Sequence, residues 1–156
     1  PGDRKTRDGT LWLDYPSIGG PSPQIKVVTK PENPTFHYRH SNWMKRGDVW
    51  PWVAASAVEG LAELILHDLK PGNYTVKLYF AELDGVAPGG RIQTIHVQGK
   101  AVLTDFDILA KSKATMTGIV EEVPNVVVDG TLTINLRATR PNETSLISGL
   151  EIIRNR

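Results

Sequence analysis

The residues best suited to ligand chemistry are aromatic, and they crowd into the stretch 41–56, which reads SNWMKRGDVWPWVAAS. It contains Trp43, Trp50 and Trp52, although the whole chain has only 4 tryptophans. A flat aromatic ring can cover the C–H face of a saccharide at little entropic cost, which leaves the hydroxyl groups for polar side chains. The question is whether these rings belong to the core or are offered to a ligand.

The sequence context favours a different answer for each ring. Trp52 opens the apolar run WVAAS, which favours a core position, whereas Trp43 lies in a polar loop and is the best candidate for a binding ring. Trp50 precedes Pro51, so its backbone is expected to be extended, and both core and platform positions stay open for it. Tyr38 is a further candidate ring shortly before this stretch.

Polar side chains that could bind hydroxyl groups occur beside the rings and in two later loops. The rings are accompanied by Arg39, Lys45 and Arg46, and guanidinium groups there would favour an acidic glycan. An ordinary solvated loop is the simpler interpretation. The predicted ligand-binding set is Tyr38, His40, Trp43, Trp50, Trp52, Asp84, Arg91, Arg140 and Asn142.

No catalytic or metal-binding pattern stands out. Glu82 and Asp84 would lie about 6–7 Å apart on a strand, which suits a glycosidase pair, but two acids near a loop are common. We predict no catalytic residues and no enzyme activity. The 4 histidines lack ligand spacing, so neither a metal site nor a cofactor is predicted. Asp105 and Asp107 are interpreted as turn residues, with a structural calcium ion as the alternative.

Composition excludes several partners. The 18 basic and 17 acidic residues give a net charge of +1, unlike the basic face that nucleic acids require. No apolar run reaches the roughly 18 to 20 residues that span a bilayer, and the absence of cysteine removes disulfides and thiolate chemistry. The chain begins at Pro1 without a methionine, which we interpret as a module of a longer protein.

Short strands with turn signals must position these residues. The segment NYTVKLYFAEL alternates apolar and polar positions, which predicts a strand with one buried face. Gln98-Gly99 and Asp129-Gly130 predict tight turns, a strand is predicted over about 62–68, and Trp12 between two leucines is expected to pack. We count nine to eleven strands and no helix longer than two turns.

This pattern predicts an all-β chain folded as an antiparallel β-sandwich of jelly-roll type. One domain is expected over 1–156, in which residues 1–35 form an irregular N-terminal part packed on the sandwich.

Over about residues 72–154 the sequence resembles the malectin and malectin-like family. The similarity lies in a strand ending Phe80-Ala81-Glu82, a hairpin from Ile95 to Gly99, the step Asp105-Phe106-Asp107-Ile108, and the strands at 129–136 and 146–152. The first half is also similar to the C-terminal module of some bacterial β-propeller proteins with quinoprotein-like repeats.

The malectin resemblance implies a non-catalytic, carbohydrate-binding β-sandwich whose ligand contacts lie on loops at one end. Family members carry aromatic rings in the loop after Phe-Ala-Glu and an aspartate before the last strand. Here those loops read LDGVAPGGR, without a ring, and TRPNET, without an aspartate. A family sugar specificity therefore does not carry over, and stacking rings must come from the tryptophan-rich stretch.

The sequence as a whole predicts a glycan-binding module of a larger exported protein, extracellular or periplasmic. Its expected partners are an oligo- or polysaccharide and the other domains of the parent protein, with neither nucleic acid nor membrane. The alternative is a structural or protein-docking domain without a sugar ligand, which would present an open apolar patch of several hundred Å².

Overall fold

The computed structural model describes residues 2–20, 23–45, 47 and 49–156, so Arg46 lies outside the described residues. Strands dominate the described chain and run in order as β1 to β13: Arg4–Lys5, Leu11–Trp12, Val27–Lys30, Thr35–Tyr38, Ser56–Glu59, Glu63–Leu66, Gly72–Phe80, Ile92–Val97, Lys100–Asp107, Ile119–Val128, Leu132–Ala138, Leu146–Ile147 and Gly149–Arg154. The described residues also form two short α-helices, α1, Pro51–Ala54, and α2, Ile108–Ser112, and one 3-10 helix, Ser41–Trp43.

The strands form two packed antiparallel layers. One layer is a five-stranded sheet in the order β3-β6-β11-β8-β9. The other consists of two three-stranded sheets, β10-β7-β13 and β12-β5-β4, which are joined where Ser148 links β12 to β13 and donates its N–H to the Tyr79 carbonyl at 2.8 Å. The predicted all-β sandwich of jelly-roll type is confirmed.

Strand β7 shows why the layers pack. Its apolar positions Tyr74, Val76, Leu78 and Phe80 are all buried, because period-two alternation turns them toward the facing sheet. The Phe80 ring meets Phe106 of β9 with centroids 4.9 Å apart. The predicted alternation in this strand is therefore confirmed, and it forms the centre of the core.

One polar side chain also crosses between the layers. Gln93 of β8 is fully buried, and its amide donates to the Leu146 carbonyl at 2.9 Å and accepts from the Leu146 N–H at 2.9 Å. The Gln93 side chain thus forms hydrogen bonds with the backbone of β12, which is only two residues long. This bridge satisfies buried polar groups that would otherwise be costly.

The turns follow the sequence signals closely. Gln98 and Gly99 have φ of 51° and 77°, the left-handed conformation that a two-residue hairpin loop requires, and they join β8 to β9. Gly130, with φ of 80°, turns the chain from β10 into β11. The strand predicted over 62–68 is observed as β6, and both helices are shorter than two turns.

The N-terminal part contains short strands. Strand β3 is an edge strand of the five-stranded sheet, paired with β6, so residues 27–30 are integral to the sandwich. Residues 4–5 and 11–12 form a small separate sheet, β1-β2. Trp12 from this sheet packs edge-on against Tyr79 of β7, with centroids 5.1 Å apart.

Candidate functional site

Residues 38–52, which we call the aromatic loop, connect β4 to α1 and carry the exposed rings. Tyr38, Trp43 and Trp50 are 63%, 65% and 43% exposed. The loop contains a 3-10 helix, Ser41–Trp43, and ends where Pro51 starts α1 with Trp50 extended before it, at φ −59° and ψ 124°. A proline forces that geometry on its predecessor and suits the first position of a helix.

The aromatic loop is anchored by close backbone contacts. The Lys45 N–H donates to the Met116 carbonyl at 2.6 Å, and the Met116 N–H donates to the Glu82 carbonyl at 2.8 Å. A Cβ at Gly47 would lie 2.4 Å from the Gly118 carbonyl oxygen, so only glycine permits this approach. The exposed rings are thus carried on a loop tied to the end of the sandwich.

Trp52 differs from the other rings because protein groups occupy its surroundings. It is half-buried, with the Trp50 ring stacked on it at 6.1 Å and an interplanar angle of 24°. The Arg4 guanidinium lies 5.2 Å from the ring centroid, and Trp12 meets the ring edge-on at 5.6 Å. Trp52 therefore supports Trp50, and its predicted role as a ligand-binding ring needs correction.

Polar groups flank the exposed rings. Arg39 donates through Nη2 to Asp84 Oδ1 at 2.7 Å, and both side chains remain partly exposed. His40 is exposed, and its Nδ1 accepts the Asn42 N–H at 3.2 Å, which caps the 3-10 helix. Asp84 thus joins the loop 83–91 to the aromatic loop, and Arg39 is a neighbour that the predicted set left out.

Arg91 is the clearest correction to the predicted ligand contacts. Its side chain is only 8% exposed, and Nε donates to Glu82 Oε2 at 2.9 Å. Its Nη1 donates to Glu59 Oε1 at 3.0 Å, to the Thr144 carbonyl at 3.0 Å and to Thr144 Oγ1 at 2.8 Å. A guanidinium engaged on this many sides inside the protein holds loops together and is not free to bind a sugar.

The hydrogen bonds around Arg91 extend through Glu59 to His37. Glu59 also accepts from Thr144 Oγ1, and its Oε2 lies 2.6 Å from His37 Nε2. We call His37, Glu59, Glu82, Arg91 and Thr144 the ionic network. Sequence reasoning missed Glu59, although the alternation in AVE places it on the inward face with Ala57.

Within the ionic network, the pKa of the Glu59 carboxyl group is lowered and that of the Glu82 carboxyl group is raised. Burial alone would raise the pKa of Glu59, but hydrogen bonds from Thr144, Arg91 and His37 outweigh it and lower this pKa to about 2. Burial raises the pKa of Glu82 above its ordinary value, and the nearby Arg91 charge only partly offsets that. Glu82 is thus buried and bound to Arg91, and it is not a solvated partner of Asp84.

The loop 140–144 meets the same end of the sandwich. Arg140 is exposed, and its Nη1 donates to the Gly89 carbonyl at 2.9 Å and to Glu143 Oε1 at 3.0 Å. Asn142 is also exposed. Loop 83–91 therefore contacts both the aromatic loop, through Asp84, and the loop 140–144, through Gly89.

The aspartates considered for calcium have structural tasks. Asp107 caps α2 by accepting the Ala110 N–H at 3.0 Å, and it accepts the Gly89 N–H at 2.7 Å. Asp105 lies within β9, where the pairing with β8 is irregular, and has a positive φ of 49°, so its prediction as a turn residue is wrong. Within the described residues, no group of three or more histidines, aspartates or glutamates is arranged to hold a metal ion.

A cavity of about 520 Å³ lies away from the ionic network, beneath the N-terminal part. It is lined by rings from three regions of the chain: Trp12, Tyr15, Phe36, Tyr38 and Trp52. Tyr38 and Trp52 thus face this cavity as well as the aromatic loop. The other predicted ligand contacts do not line it.

The described residues thus form a β-sandwich that carries exposed aromatic rings on a loop tied to one end. The family model described as Malectin domain matches residues 65–152, and the chain belongs to this family. None of the helices in the described ranges is long and apolar enough to cross a membrane.

Two curated relatives are receptor kinases of Arabidopsis thaliana. A probable LRR receptor-like serine/threonine-protein kinase is 31% identical over 108 residues, covering 64% of this chain and 10% of the relative. A second probable leucine-rich repeat receptor-like kinase is 37% identical over 75 residues, covering 44% of this chain and 7% of the relative. The chain thus spans a tenth or less of these proteins.

Solved structures share the fold at low identity. The ectodomain of ANX2 from Arabidopsis thaliana has a TM-score of 0.71 at 15% identity, covering 98% of this chain and 47% of that chain. A structure of the plant peptide RALF23 in complex with FER and LLG2 gives 0.68 at 17%, covering 98% and 46%. A Bacteroides uniformis β-glucuronidase gives 0.71 at 11%, covering 99% and 17%, which shows the fold alone.

The second resemblance drawn from the sequence is not supported. The first half is similar to a C-terminal module of bacterial β-propeller proteins only on weak sequence grounds, and the curated relatives found are plant receptor kinases. A bacterial origin, which this resemblance would imply, is not supported either, because these relatives are plant proteins.

Proposed function

We propose that this chain is a non-catalytic carbohydrate-binding domain that holds a glycan against the aromatic loop. The observation that carries the proposal is the exposure of Tyr38, Trp43 and Trp50 on one loop. The flat faces of these rings suit the C–H patches of a sugar ring. Trp43 makes no ring contact with another aromatic side chain in the described chain, so its faces are open to a ligand.

Polar groups for the sugar hydroxyls lie on both sides of the rings. Arg39 and Asp84 pair with each other while remaining partly exposed, and such a pair can exchange part of its contact for donors and acceptors on a sugar. His40 and Lys45 are exposed nearby. Arg140 and Asn142 would extend the contact only to a longer oligosaccharide, because loop 83–91 separates them from the rings.

We further propose that residues 1–156 form a single module of a larger exported protein. Its structural relatives include an ectodomain and an extracellular domain of plant proteins, which supports an extracellular location. The packing of Trp12 on Tyr79 supports the inclusion of the N-terminal part in the same domain.

The test is a glycan array followed by affinity electrophoresis on the polysaccharides that bind. Trp43→Ala and Trp50→Ala should each weaken binding about tenfold, which corresponds to about 1.4 kcal/mol, since each removes a stacking face. Tyr15→Ala is the matched control, because Tyr15 is an exposed aromatic residue outside the aromatic loop. Absence of binding to every polysaccharide, or unchanged binding in both tryptophan variants, would reject the proposal.

Protein docking is the second candidate function, and a specific observation favours it. A structural neighbour of this chain was solved with the peptide RALF23 and the protein LLG2. This chain also exposes apolar residues along its N-terminal part, including Leu11, Tyr15, Ile18 and Ile25. Such a cluster is typical of an interaction surface.

A further inference from the structure

The cavity beneath the N-terminal part is built for a ligand of mixed chemistry. Its walls come from the edge between the two layers and from residues within 10–20 and 23–25, and its volume of about 520 Å³ falls within the usual range for ligand pockets. Aromatic and aliphatic side chains form most of the lining, including Trp12, Phe36 and Leu64. The interior therefore favours apolar groups.

The charged groups of the cavity all have one sign. Asp3, Asp14 and Glu151 line it, and none of its described lining residues is a lysine, arginine or histidine. Asp14 accepts the Gly2 N–H, and Glu151 accepts the Tyr79 hydroxyl at 2.6 Å. Neither Asp14 nor Glu151 forms a salt bridge with a described residue. Their negative charge is thus available to a cationic ligand.

A guanidinium already occupies part of the same aromatic cluster. Arg4 lies over the Trp52 ring at 5.2 Å, and Trp52 contributes to the cavity wall. Aromatic faces attract cations through their quadrupole, more strongly where water is excluded. The rings and the carboxylates therefore favour the same class of ligand.

The backbone of β13 runs along the cavity. Gly149, Leu150, Glu151 and Ile152 all line it, so residues from both faces of the strand contribute to the wall. Strand β13 ends its three-stranded sheet and pairs only with β7 among the described strands. An edge strand offers backbone N–H and carbonyl groups to another strand.

Two buried polar atoms in the lining have no partner. Trp12 Nε1 and Ser148 Oγ are shielded from solvent and make no hydrogen bond in the described chain, and both residues line the cavity. Native proteins rarely leave such groups unsatisfied. A ligand with hydrogen-bond acceptors near both atoms would satisfy them.

We propose that this cavity binds an extended peptide segment that carries Lys or Arg beside apolar side chains and adds as a strand to β13. Main-chain hydrogen bonds to the strand edge give such binding its affinity, and side-chain pockets give it specificity. Four residues of β13 line the cavity, a length of about 13 Å at strand rise. The cationic side chains approach Asp14 and Glu151, and the peptide backbone pairs with the free edge of β13.

The peptide site shares Tyr38 and Trp52 with the aromatic loop, whereas Trp43 and Trp50 do not line the cavity. The probe is a capped hexapeptide of alternating lysine and leucine, titrated into the whole chain and followed by the indole N–H signals in proton–nitrogen spectra. Saturable movement of the Trp12 signal is expected, with smaller movement at Trp43. A hexapeptide of alternating glutamate and leucine, and a lysine–leucine peptide N-methylated at alternate residues, should each bind at least tenfold more weakly.

Matched variants test the carboxylates. Glu151→Gln and Asp14→Asn should each weaken the lysine–leucine peptide about three- to tenfold, because each removes one charge and keeps the shape. Asp129→Asn, at a carboxylate outside the cavity, and Trp43→Ala should leave its affinity unchanged. The proposal is overturned if the Trp12 signal does not move, if the glutamate peptide binds equally well, or if both carboxylate variants bind like wild type. Failure of the glycan proposal would instead appear in the glycan-binding experiments, as unchanged binding in Trp43→Ala and Trp50→Ala.

Discussion

The ionic network and the aromatic loop contact the same end of the sandwich, yet their side chains have opposite environments. Arg91 and Glu82 are 8% and 1% exposed and bind one another, whereas Trp43 is 65% exposed. By residue type alone the charged groups should be outside and the tryptophans inside. The difference shows that exposure here is decided by the partners available, since the arginine has several acceptors and Trp43 has no neighbouring ring.

The contrast also separates two tasks. The ionic network draws residues from distant parts of the chain, 37, 59, 82, 91 and 144, so it fixes the relative positions of the loops. The backbone of the aromatic loop packs closely against the sandwich where Gly47 meets Gly118, while its aromatic rings remain exposed to solvent. We infer that the network provides the rigid support on which the rings are presented.

The largest expected effect that tests this contrast is on stability. Arg91→Met removes the partner of the buried Glu82 carboxylate and of Glu59, and breaking a buried ion pair from one side costs about 3–5 kcal/mol. Urea unfolding followed by tryptophan fluorescence would measure the loss in free energy of unfolding.

Arg140→Met is the matched control for Arg91→Met. Its guanidinium also pairs with a glutamate, but its side chain is 59% exposed, so the loss should be about 1 kcal/mol or less. Equal losses in the two variants would show that Arg91 is no more structural than an exposed arginine, and the contrast would fail.

A smaller effect should appear in the pH dependence of stability. The pKa of Glu59 is lowered from 4.5 to about 2 in the folded chain, so its stabilising contribution is present above pH 4.5 and is lost as the pH falls toward 2. The advantage of wild type over Glu59→Gln in free energy of unfolding should therefore be constant near neutrality and shrink below pH 4.5. Urea unfolding between pH 7 and pH 3 measures it.

Comparing the free energy of unfolding of wild type with that of Glu59→Gln also removes the contribution of Glu82, which depends on pH in the opposite direction. Because burial raises the pKa of Glu82, its contribution is present below pH 4.5 and is lost as the pH rises through the folded value, and it remains in both proteins. A Glu59→Gln difference that stays constant down to pH 3 would contradict the lowered pKa.

Much of the fold was predictable because its signals are local. The alternation in β7 and the turn at Gln98-Gly99 need only neighbouring residues to be read, and both are observed. The strand count of nine to eleven fell short of the thirteen observed among the described residues. The additional strands include β1 and β12, which have two residues each and are too short to show a period.

The candidate site was predictable only in part. Trp43 is exposed as its polar surroundings indicated, but the burial of Arg91 depends on Glu59 and Thr144, which lie 32 and 53 residues away in sequence. No local pattern encodes such a meeting. The cavity under the N-terminal part could not be predicted either, since it arises where that part covers the edge between β13 and β3.

The smallest effect is expected for the stability of Trp43→Ala, and it defines the other side of the contrast. Surface substitutions away from packing features usually change the free energy of unfolding by about 0.5 kcal/mol or less, and Trp43 has no ring neighbour among the described aromatic residues. Trp52→Ala should cost clearly more, because it removes the ring that packs against Trp12 and Trp50. Denaturant unfolding of both variants gives the comparison. If Trp43→Ala destabilised the chain as much as Trp52→Ala, the Trp43 ring would be part of the packing, and a ring committed to packing cannot be the face that a sugar covers.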